Sequence, residues 1–356
     1  MTEAVWLTED DVAATVGLAD AVEAVRAALV AEHGGQAATM AKTALAWGGG
    51  HTLHALGGVD HATGLVATKT WAHTAGGAEP VLAVWDAESG RLQAMIEAFA
   101  LGQLRTASVS SVAIDAMTAP QARTLAIVGT GKQAFPQVAA ALDRRPIDEI
   151  RVFSPTAEHR DAFAERLRSH VAADVDVDAC GDVGRATSGA DVVITATRAR
   201  QPVLHLGDVG PSSLVVAVGA ITPERAELHR RIAATATLVA SDNPGTACEL
   251  SHELDDAIAV EPLSAIVAGA ITVPAGGHRV FKAMGLGLAD LAVAGEVLRR
   301  CRAAGRGAPI AERHRAEPRW FRAARSASDA ATTERSPGSR ALIGFGGAGP
   351  EKERPT

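Results

Sequence analysis

The first 35 residues have apolar positions at helical spacing and predict two short helices. Thr8 stands where it can cap the first helix, because its hydroxyl precedes an acidic first turn. Asp20 and Glu23 resemble a capping box at the start of the second helix, and Gly34 is expected to end it.

Residues 40–90 change to short runs rich in β-forming residues, such as TALAW, HTLHAL and VLAVWD, separated by glycine clusters. This texture predicts an antiparallel meander or open barrel. The next helix, which contains LGQLRTAS, is expected to end at Pro120 and carries Arg105 in its first turn. Because the helix dipole disfavours a cation there, Arg105 is a surface residue, part of an ion pair or the partner of a bound anion.

From about residue 123, apolar strand-like runs alternate with helical segments, beginning with TLAIVG and followed by EIRVF, DVVITAT, SLVVAVGA and ATLVASD. Buried strands joined by helices predict a doubly wound parallel sheet, so the fold class is α/β. After residue 300 the chain becomes rich in Arg, Ala, Gly and Pro without sustained periodicity. Residues 325–356 are therefore expected to be a disordered tail.

Composition and charge narrow the functional classes. The 356 residues are 47% hydrophobic and 21% charged with a net charge of −7, which disfavours nucleic acid as a partner. The three cysteines are far apart, as expected in a reducing compartment. The sequence contains neither a signal-peptide pattern nor an apolar run of membrane-spanning length, so we expect a cytoplasmic protein without a membrane partner.

The strongest chemical motif is the turn after the strand TLAIV. It reads Gly129-x-Gly131-x-x-Ala134 between a strand and a helix, the context in which this pattern binds a dinucleotide. The diphosphate of such a cofactor lies at the helix N-terminus. A Walker A loop is excluded because Ala126 and Gln133 stand where that loop needs glycine and a hydroxyl residue.

The end of the second strand bears on the choice of dinucleotide. An acidic residue there would bind the ribose 2′-hydroxyl of NAD, but the strand EIRVF ends in Ser154 and Thr156 without a carboxylate. Their hydroxyls and the nearby Arg160 favour NADP(H) slightly over NAD(H).

Two other kinds of site are disfavoured. His51 and His54 are three residues apart in a β region, where their side chains point to opposite faces, so we expect no metal site. A G-x-S-x-G nucleophile elbow is absent from the sequence, which argues against a hydrolase of that type.

Several segments together resemble the ornithine cyclodeaminase/mu-crystallin family from the N-terminus to about residue 305. They include GLVATKTWAHTAGG, VWDAESGRLQAMIEA, LGQLRTAS, LAIVGTGKQA, ADVVITATRARQPVL, VAVGAITPERAEL and RVFKAMGLGLADLA. The resemblance implies a Rossmann domain, here residues 120–299, inserted in a smaller α+β substrate and dimerisation domain. That smaller domain would comprise residues 1–119 and a C-terminal helix at about 300–322, and the protein would be a homodimer.

The resemblance also implies the site residues. Lys69 and Arg105 match family positions that bind a substrate carboxylate, and Lys42 stands where the family has an arginine. Lysine keeps the charge of that arginine but loses its bidentate geometry. The cofactor positions implied by the turn and the family segments are Gly129, Thr130, Gly131, Gln133, Ala134, Ser154, Thr156, Thr195, Thr197, Val218, Gly219 and Lys282.

One departure from the family pattern bears on the reaction. Cyclodeaminases carry an aspartate at the position occupied here by Ile221, and isoleucine can neither ionise nor accept a proton. We therefore expect an NAD(P)H-dependent oxidoreductase that acts on the C–N bond of a small 2-imino or 2-amino acid. Lys69 is the expected proton donor, and apolar residues at Trp47, Leu56 and Trp71 suggest an uncharged or cyclic side chain. The alternatives are a cyclodeaminase-type ammonia lyase with catalytic NAD⁺ and a crystallin-like binding protein.

Overall fold

The computed structural model describes residues 3–311, together with 314, 316–318 and 320. Its strands are β1 Val5–Leu7, β2 Ala37–Thr39, β3 Thr43–Trp47, β4 His51–Asp60, β5 Leu65–Thr74, β6 Gly77–Ala78, β7 Val81–Asp86, β8 Leu92–Glu97, β9 Thr124–Val128, β10 Glu149–Phe153, β11 Asp176–Ala179, β12 Val192–Thr195, β13 Leu214–Ala217, β14 Leu238–Ser241, β15 Glu261–Pro262, β16 Arg279–Lys282 and β17 Ala308–Pro309. Its helices are α1 Glu9–Thr15, α2 Leu18–His33, α3 Phe99–Met117, α4 Ala134–Arg144, α5 Ala157–Arg168, α6 Val183–Thr187, α7 Arg231–Ala234, α8 Pro244–Leu250, α9 Leu263–Val267 and α10 Gly287–Ala303.

The first sheet is largely antiparallel and contains the predicted meander. Its strand order is β17-β1-β8-β7-β5-β4-β2, with β3 on β4 and β6 on β5. The terminal strand β1 runs parallel to β8, whereas β17 returns from the far end of the described chain to pair with β1. The central strands β4 and β5 pair over nine residues, from Thr52 opposite His73 to Asp60 opposite Leu65.

The second sheet is parallel throughout, with the order β11-β10-β9-β12-β13-β16-β14-β15. This is the predicted doubly wound architecture, and the α/β class is confirmed. The strand β16, with the sequence RVFK, was not predicted as a strand, yet it lies between β13 and β14. Its residues are all buried, so it has no alternation of polar and apolar positions to reveal it.

The helix α10 follows the parallel sheet in sequence but packs with the first sheet and its helices. It packs against α2, α3, β4 and β5, all of which precede the parallel sheet in sequence. The expectation of a C-terminal helix at about 300–322 was wrong, because the helix spans Gly287–Ala303 and is followed by β17. The parallel sheet, from Thr124 to Lys282, is thus inserted between parts of the first sheet and its helices. The tail expected at 325–356 lies outside the described residues.

The helix ends agree with the sequence analysis in part. Thr8 caps α1 through a capping box, since its hydroxyl accepts the Asp11 N–H at 3.3 Å and its own N–H donates to the Asp11 carboxylate. For α2 the prediction was wrong by one turn: Gly17 is the N-cap, and Asp20 accepts the Gly17 N–H at 3.1 Å from within the helix. The helix ends before Gly34, as predicted.

Candidate functional site

A cavity of about 540 Å³ lies between the helix-and-meander part of the chain and the carboxyl ends of the parallel strands. Ligands of doubly wound proteins bind at this edge of the sheet. One wall consists of side chains from the first sheet and α3, namely Lys42, Leu56, Trp71, His73, Arg105 and Thr106. The opposite wall includes Gly131, Lys132, Gln133, Thr197, Arg198, Val218, Gly219, Ile221, Arg225, Asp242 and Gly285.

The glycine turn after β9 fits a dinucleotide diphosphate. Gly129 has φ +108°, and a Cβ added there would lie 2.5 Å from the carbonyl oxygen of Ala196, so no other residue fits without displacement. A Cβ added to Gly131 would lie 4.0 Å from its nearest neighbour, the Ala196 carbonyl oxygen. The backbone at Gly131 is therefore open to a ligand. The helix α4 begins at Ala134 without a side-chain cap, and the buried Oε1 atom of Gln133 has no hydrogen-bond partner. Free N–H groups at a helix N-terminus attract phosphate.

Of the other residues expected to contact the cofactor, some line the cavity and others are buried behind its wall. Thr197, Val218 and Gly219 line the cavity at the ends of β12 and β13. Thr195 is buried in β12, and its hydroxyl has no hydrogen-bond partner. Thr130 is half-buried within the turn and Ala134 is fully buried, but neither lines the cavity.

The end of β10 carries hydroxyl and guanidinium groups. Ser154 is buried, whereas Thr156 is exposed and is the N-cap residue of α5. The structure brings Arg160 back to this strand end, where its Nη1 donates to the Ser154 carbonyl oxygen at 3.4 Å. Arg160 was expected at this strand end only because it is close to Ser154 and Thr156 in sequence.

Lys282 does not fit its expected role as a cofactor contact. It is fully buried in β16, where its ammonium pairs with the carboxylate of Glu253, and it does not line the cavity. Glu253 also accepts the N–H groups of Glu227 and Leu228. Glu253 thereby links Lys282 to the loop after β13, and nothing in the sequence pattern indicates this buried pair.

The three basic residues expected to hold a substrate carboxylate are close together, but only Lys42 and Arg105 line the cavity. Lys69 lies behind them and is 4% exposed, with its ammonium bonded to the Oδ1 atom of Asp290 in α10. The Nε atom of Arg105 lies 3.4 Å from the same oxygen. Two cationic side chains thus share one buried carboxylate oxygen, and a ligand bound to Arg105 would be adjacent to Lys69.

Burial changes the acid–base behaviour of both lysines. Loss of hydration lowers the pKa of Lys69 to about 8, opposed by the attraction of Asp290 and reinforced by the repulsion of Arg105. Burial also lowers the pKa of Lys42, with a further contribution from the positive charge of Arg105. Lys69 is therefore a group that can release its proton near neutral pH.

Two buried aspartates in this site were not predicted. Asp242 follows β14 and lines the cavity, and its carboxylate accepts the N–H groups of Met284 at 2.7 Å and Gly285 at 3.0 Å. Burial raises its pKa, while these hydrogen bonds and Arg105 oppose the change. Asp290 lies in the segment GLGLADLA, within the stretch that carries the family resemblance. The only sequence signal for its role is that it is an acidic residue among apolar ones.

The position of Arg105 differs from the expectation. It is the seventh residue of α3, not part of the first turn, because the helix begins at Phe99. The N-terminus of α3 is occupied by Glu9, whose carboxylate accepts the N–H groups of Phe99 and Ala100 at 2.6 and 2.7 Å. The helix dipole therefore acts on Glu9, and Arg105 alone supplies the positive charge from α3 in the cavity.

The remaining candidate residues are placed as follows. Ile221 lines the cavity, as do Leu56 and Trp71, whereas Trp47 is 44% exposed and packs against His51 outside it. His54 stacks on Trp71 with ring centroids 4.9 Å apart. Within the described part of the chain, no group of three or more His, Cys, Asp or Glu side chains could hold a metal ion. None of the described helices is both long and apolar enough to cross a membrane.

Comparison with known proteins gives relatives over most of the described chain. The mouse protein ketimine reductase mu-crystallin is 29% identical over 212 residues, which cover 59% of this chain and 66% of the mouse protein. The Azospirillum brasilense Delta(1)-pyrroline-2-carboxylate/Delta(1)-piperideine-2-carboxylate reductase is 30% identical over 58% of this chain and 66% of its own length. In each case the chain spans slightly less than two thirds of the relative.

Among solved structures, Thermococcus litoralis Delta(1)-pyrroline-2-carboxylate reductase in complex with NADH and L-proline has a TM-score of 0.80. It is 20% identical, and the superposition covers 86% of this chain and all of that one, so the two share a fold. The sequence model of the ornithine cyclodeaminase/mu-crystallin family matches residues 2–305. That range includes the whole parallel sheet, every strand of the first sheet except β17, the glycine turn and the basic cluster, and the chain belongs to the ornithine cyclodeaminase/mu-crystallin family.

Proposed function

We propose that this protein is an NAD(P)H-dependent oxidoreductase that reduces the C=N bond of a small 2-imino acid or catalyses the reverse oxidation. The observation that carries the proposal is one cavity with a dinucleotide-type turn on one wall and Lys42 and Arg105 on the other. The reductase activities named for the mouse and Azospirillum relatives support it.

In this reaction the nicotinamide cofactor, when bound, supplies or accepts the hydride. The turn from Gly129 to Ala134 would hold the diphosphate, and Thr197, Val218 and Gly219 would flank the nicotinamide. Lys42 and Arg105 bind the substrate carboxylate and so orient the imine carbon. Such positioning removes much of the entropic cost of bringing two reactants together.

We assign the proton that the nitrogen requires to Lys69. Its pKa of about 8 suits a general acid that works near neutral pH. Lys69 and Arg105 meet at one oxygen of Asp290, so a carboxylate bound to Arg105 brings the imine nitrogen near the lysine. The lysine side chain must turn from Asp290 toward the cavity to make this contact, after which its Nζ proton passes to the nitrogen.

The strand end at β10 supports NADP(H) as the preferred cofactor. It offers the hydroxyls of Ser154 and Thr156 with the guanidinium of Arg160, and it lacks the carboxylate that would bind a ribose 2′-hydroxyl. A 2′-phosphate would gain charge-assisted hydrogen bonds there.

Two alternative functions remain distinguishable by experiment. A cyclodeaminase would need an acid on the cavity wall where Ile221 stands, so this residue favours reduction over deamination. A crystallin-like binding protein would hold the cofactor without turnover.

The direct test is the oxidation of NADPH and NADH in the presence of Delta(1)-pyrroline-2-carboxylate or Delta(1)-piperideine-2-carboxylate. We expect stoichiometric oxidation with formation of the cyclic amino acid, and a higher kcat/KM with NADPH. Ammonia release from ornithine without net cofactor change would instead support the cyclodeaminase, and tight cofactor binding without any turnover would support the binding protein.

We further propose that the protein is a cytoplasmic homodimer. The described cysteines are all unpaired, which fits a reducing compartment. The strand β3 is exposed along its whole length. Leu45 and Trp47 on this strand are 64% and 44% exposed, and Leu53 on the neighbouring β4 is 43% exposed. A neighbouring group of exposed large apolar side chains marks a protein interface.

A further inference from the structure

One buried carboxylate, that of Glu227, bonds to the backbone of the two segments that follow β12 and β13. Its Oε1 atom accepts the Thr197 N–H at 2.6 Å, and its Oε2 atom accepts the N–H groups of Gly219 at 2.7 Å and Ala220 at 3.2 Å. Glu227 is completely buried, whereas Thr197 and Gly219 line the cavity. Glu227 therefore joins two cavity-lining segments without lining the cavity itself.

These two segments approach each other so closely that residue 219 must be glycine. A Cβ added to Gly219 would lie 2.5 Å from the Oε1 atom of Glu227 and 2.6 Å from the Thr197 nitrogen, so any side chain would displace them. The paired residues of β12 and β13 end at Thr195 and Ala217. Glu227 thus keeps the two neighbouring chains together beyond the end of their ladder.

A second buried carboxylate holds the backbone at Glu227. The Glu227 N–H donates to the Oε1 atom of Glu253 at 2.5 Å, and the Oε2 atom of Glu253 pairs with the Lys282 ammonium. Burial raises the pKa of Glu227, opposed by the Thr197 N–H and by the positive charge of Lys282. Because the groups bonded to the Glu227 carboxylate are all backbone N–H donors, the ionised form, which only accepts, matches them.

We propose that Glu227 is a positioning residue for hydride transfer, because it holds the segments after β12 and β13 at one separation. This inference rests on the proposed function, in which Thr197, Val218 and Gly219 flank the nicotinamide. Within the described chain, the side-chain hydrogen bonds of Glu227 go to these segments and not to the diphosphate turn at residues 129–134. Loss of the carboxylate is therefore expected to impair hydride transfer more than cofactor affinity.

The test is the variant Glu227→Gln in the full-length protein. Glutamine has almost the same shape, but its amide NH₂ group faces backbone N–H donors and leaves them unpaired. With NADPH and Delta(1)-piperideine-2-carboxylate we expect kcat to fall by at least about 30-fold, since a misplacement of about 1 Å can cost about 100-fold. The Kd for NADPH, measured by fluorescence titration, is expected to stay within about threefold of its original value. With NADPH deuterated at the transferred position, the primary isotope effect on kcat is expected to increase, because hydride transfer becomes the slow step.

The matched control is Glu224→Gln, the same substitution in the same segment. Glu224 is exposed and does not line this cavity, so kcat and the Kd for NADPH are expected to stay within about twofold of their original values. A folded Glu227→Gln protein whose kcat stays within about threefold of the original would overturn the inference. So would a Kd for NADPH that rises as much as kcat falls, since Glu227 would then serve cofactor binding.

Amide exchange in the unmodified, cofactor-free protein gives a second readout that depends on neither a variant nor turnover. We expect the N–H groups of Thr197 and Gly219 to exchange slowly before any cofactor is added, because the carboxylate already bonds them. Mass spectrometry of the peptides that contain them measures this protection. Rapid exchange that becomes slow only with NADP⁺ would contradict the proposal, since the cofactor would then order the segments. If Glu227→Gln does not fold, this measurement decides between the two outcomes.

The failure of this inference and that of the proposed function are separable. If the unmodified protein reduces the imine and folded Glu227→Gln does so equally well, the reaction stands and the positioning role is wrong. If the unmodified protein oxidises neither NADPH nor NADH with the imine, the proposed function is wrong and the hydride role falls with it. Amide exchange would then still report whether Glu227 holds the two segments.

Discussion

At the scale of single residues, Asp290 holds together the basic side chains of Lys69 and Arg105 beside the cavity. One oxygen of this buried carboxylate meets the Lys69 ammonium and lies 3.4 Å from the Arg105 guanidinium. Without it, two neighbouring cations would repel each other in a region of low polarity. Asp290 therefore keeps Arg105 beside the cavity and keeps the pKa of Lys69 from falling further.

The role of Lys69 predicts a specific pH dependence. A proton donor must be protonated, so kcat/KM for imine reduction is expected to fall as the pH rises through about 8, where an ordinary lysine would still be charged. The variant Lys69→Arg keeps the charge but cannot release a proton at these pH values. We expect its kcat to fall by at least about 100-fold and its profile to lose this descending limb. Unchanged kcat in Lys69→Arg or Lys69→Met would refute the assignment.

The role of Asp290 predicts a shift of the same limb. In Asp290→Asn the attraction that raises the pKa of Lys69 is removed, so the alkaline fall in kcat/KM should move below pH 8. Breaking a buried ion pair also costs about 3–5 kcal/mol, so the free energy of unfolding is measured alongside. Glu296→Gln is the control on α10, because Glu296 pairs with Arg299 and Arg300 at the surface. A folded Asp290→Asn protein with an unmoved limb would contradict the coupling.

At this scale the sequence predicted part of the site. Gly129, Gly131, Lys42 and Arg105 could be identified because a local motif or a family segment contained them. The buried carboxylate that pairs with the basic residues, Asp290, could not be identified as their partner. Lys69 and Asp290 are 221 residues apart, and nothing in either neighbourhood indicates that the two side chains meet.

At the scale of secondary structure, α10 packs against α3, β4 and β5, which supply side chains to one wall of the cavity. Ten of its residues are buried and its N-cap is Leu286, which cannot bond the first-turn N–H groups. The first half of the helix, through Ala294, has neither an exposed polar face nor a capping residue to mark where the helix starts. The predicted start at about residue 300 is therefore 13 residues, or between three and four turns, too late. Its first residue packs very closely on β4: a Cβ added to Gly287 would lie 2.2 Å from the Gly57 carbonyl oxygen.

This contact predicts a contrast between two glycines of one helix. Gly287→Ala must move α10 away from β4, so we expect a loss of about 2–3 kcal/mol in the free energy of unfolding and a lower kcat/KM as Asp290 shifts. Gly295→Ala places its Cβ 3.3 Å from the flexible end of Leu65 and gains helix propensity, so its stability should change by less than about 1 kcal/mol. Urea unfolding of both variants measures the difference, and equal stabilities would contradict the packing account.

At the scale of the whole molecule, the alternation of strands and helices was enough to predict an α/β fold with a parallel sheet. The placement of β16 between β13 and β14, and the return of α10 and β17 to the first sheet, were not predicted. They depend on contacts between distant segments, which periodicity along the chain does not encode.

The exposed apolar surface on β3 and β4 predicts the assembly state. Leu45 and Leu53 face each other across these strands and are largely exposed. If this surface forms the dimer interface, light scattering after size-exclusion chromatography should give twice the chain mass of 36.5 kDa. The double variant Leu45→Asp/Leu53→Asp should run as a monomer because it places charges in the interface. A monomeric unmodified protein, or a variant that remains dimeric, would contradict the proposed interface.

The reaction proposed for this cavity is hydride transfer between a nicotinamide cofactor and a bound 2-imino or 2-amino acid. The most direct measurement follows NADPH absorbance while purified protein is mixed with Delta(1)-piperideine-2-carboxylate, with the amino-acid product quantified in the same samples. We expect one cofactor to be oxidised per amino acid formed, and the activity to be greatly reduced in Arg105→Met. Imine left unreduced with NADPH and NADH, or turnover unaffected by Arg105→Met, would contradict it.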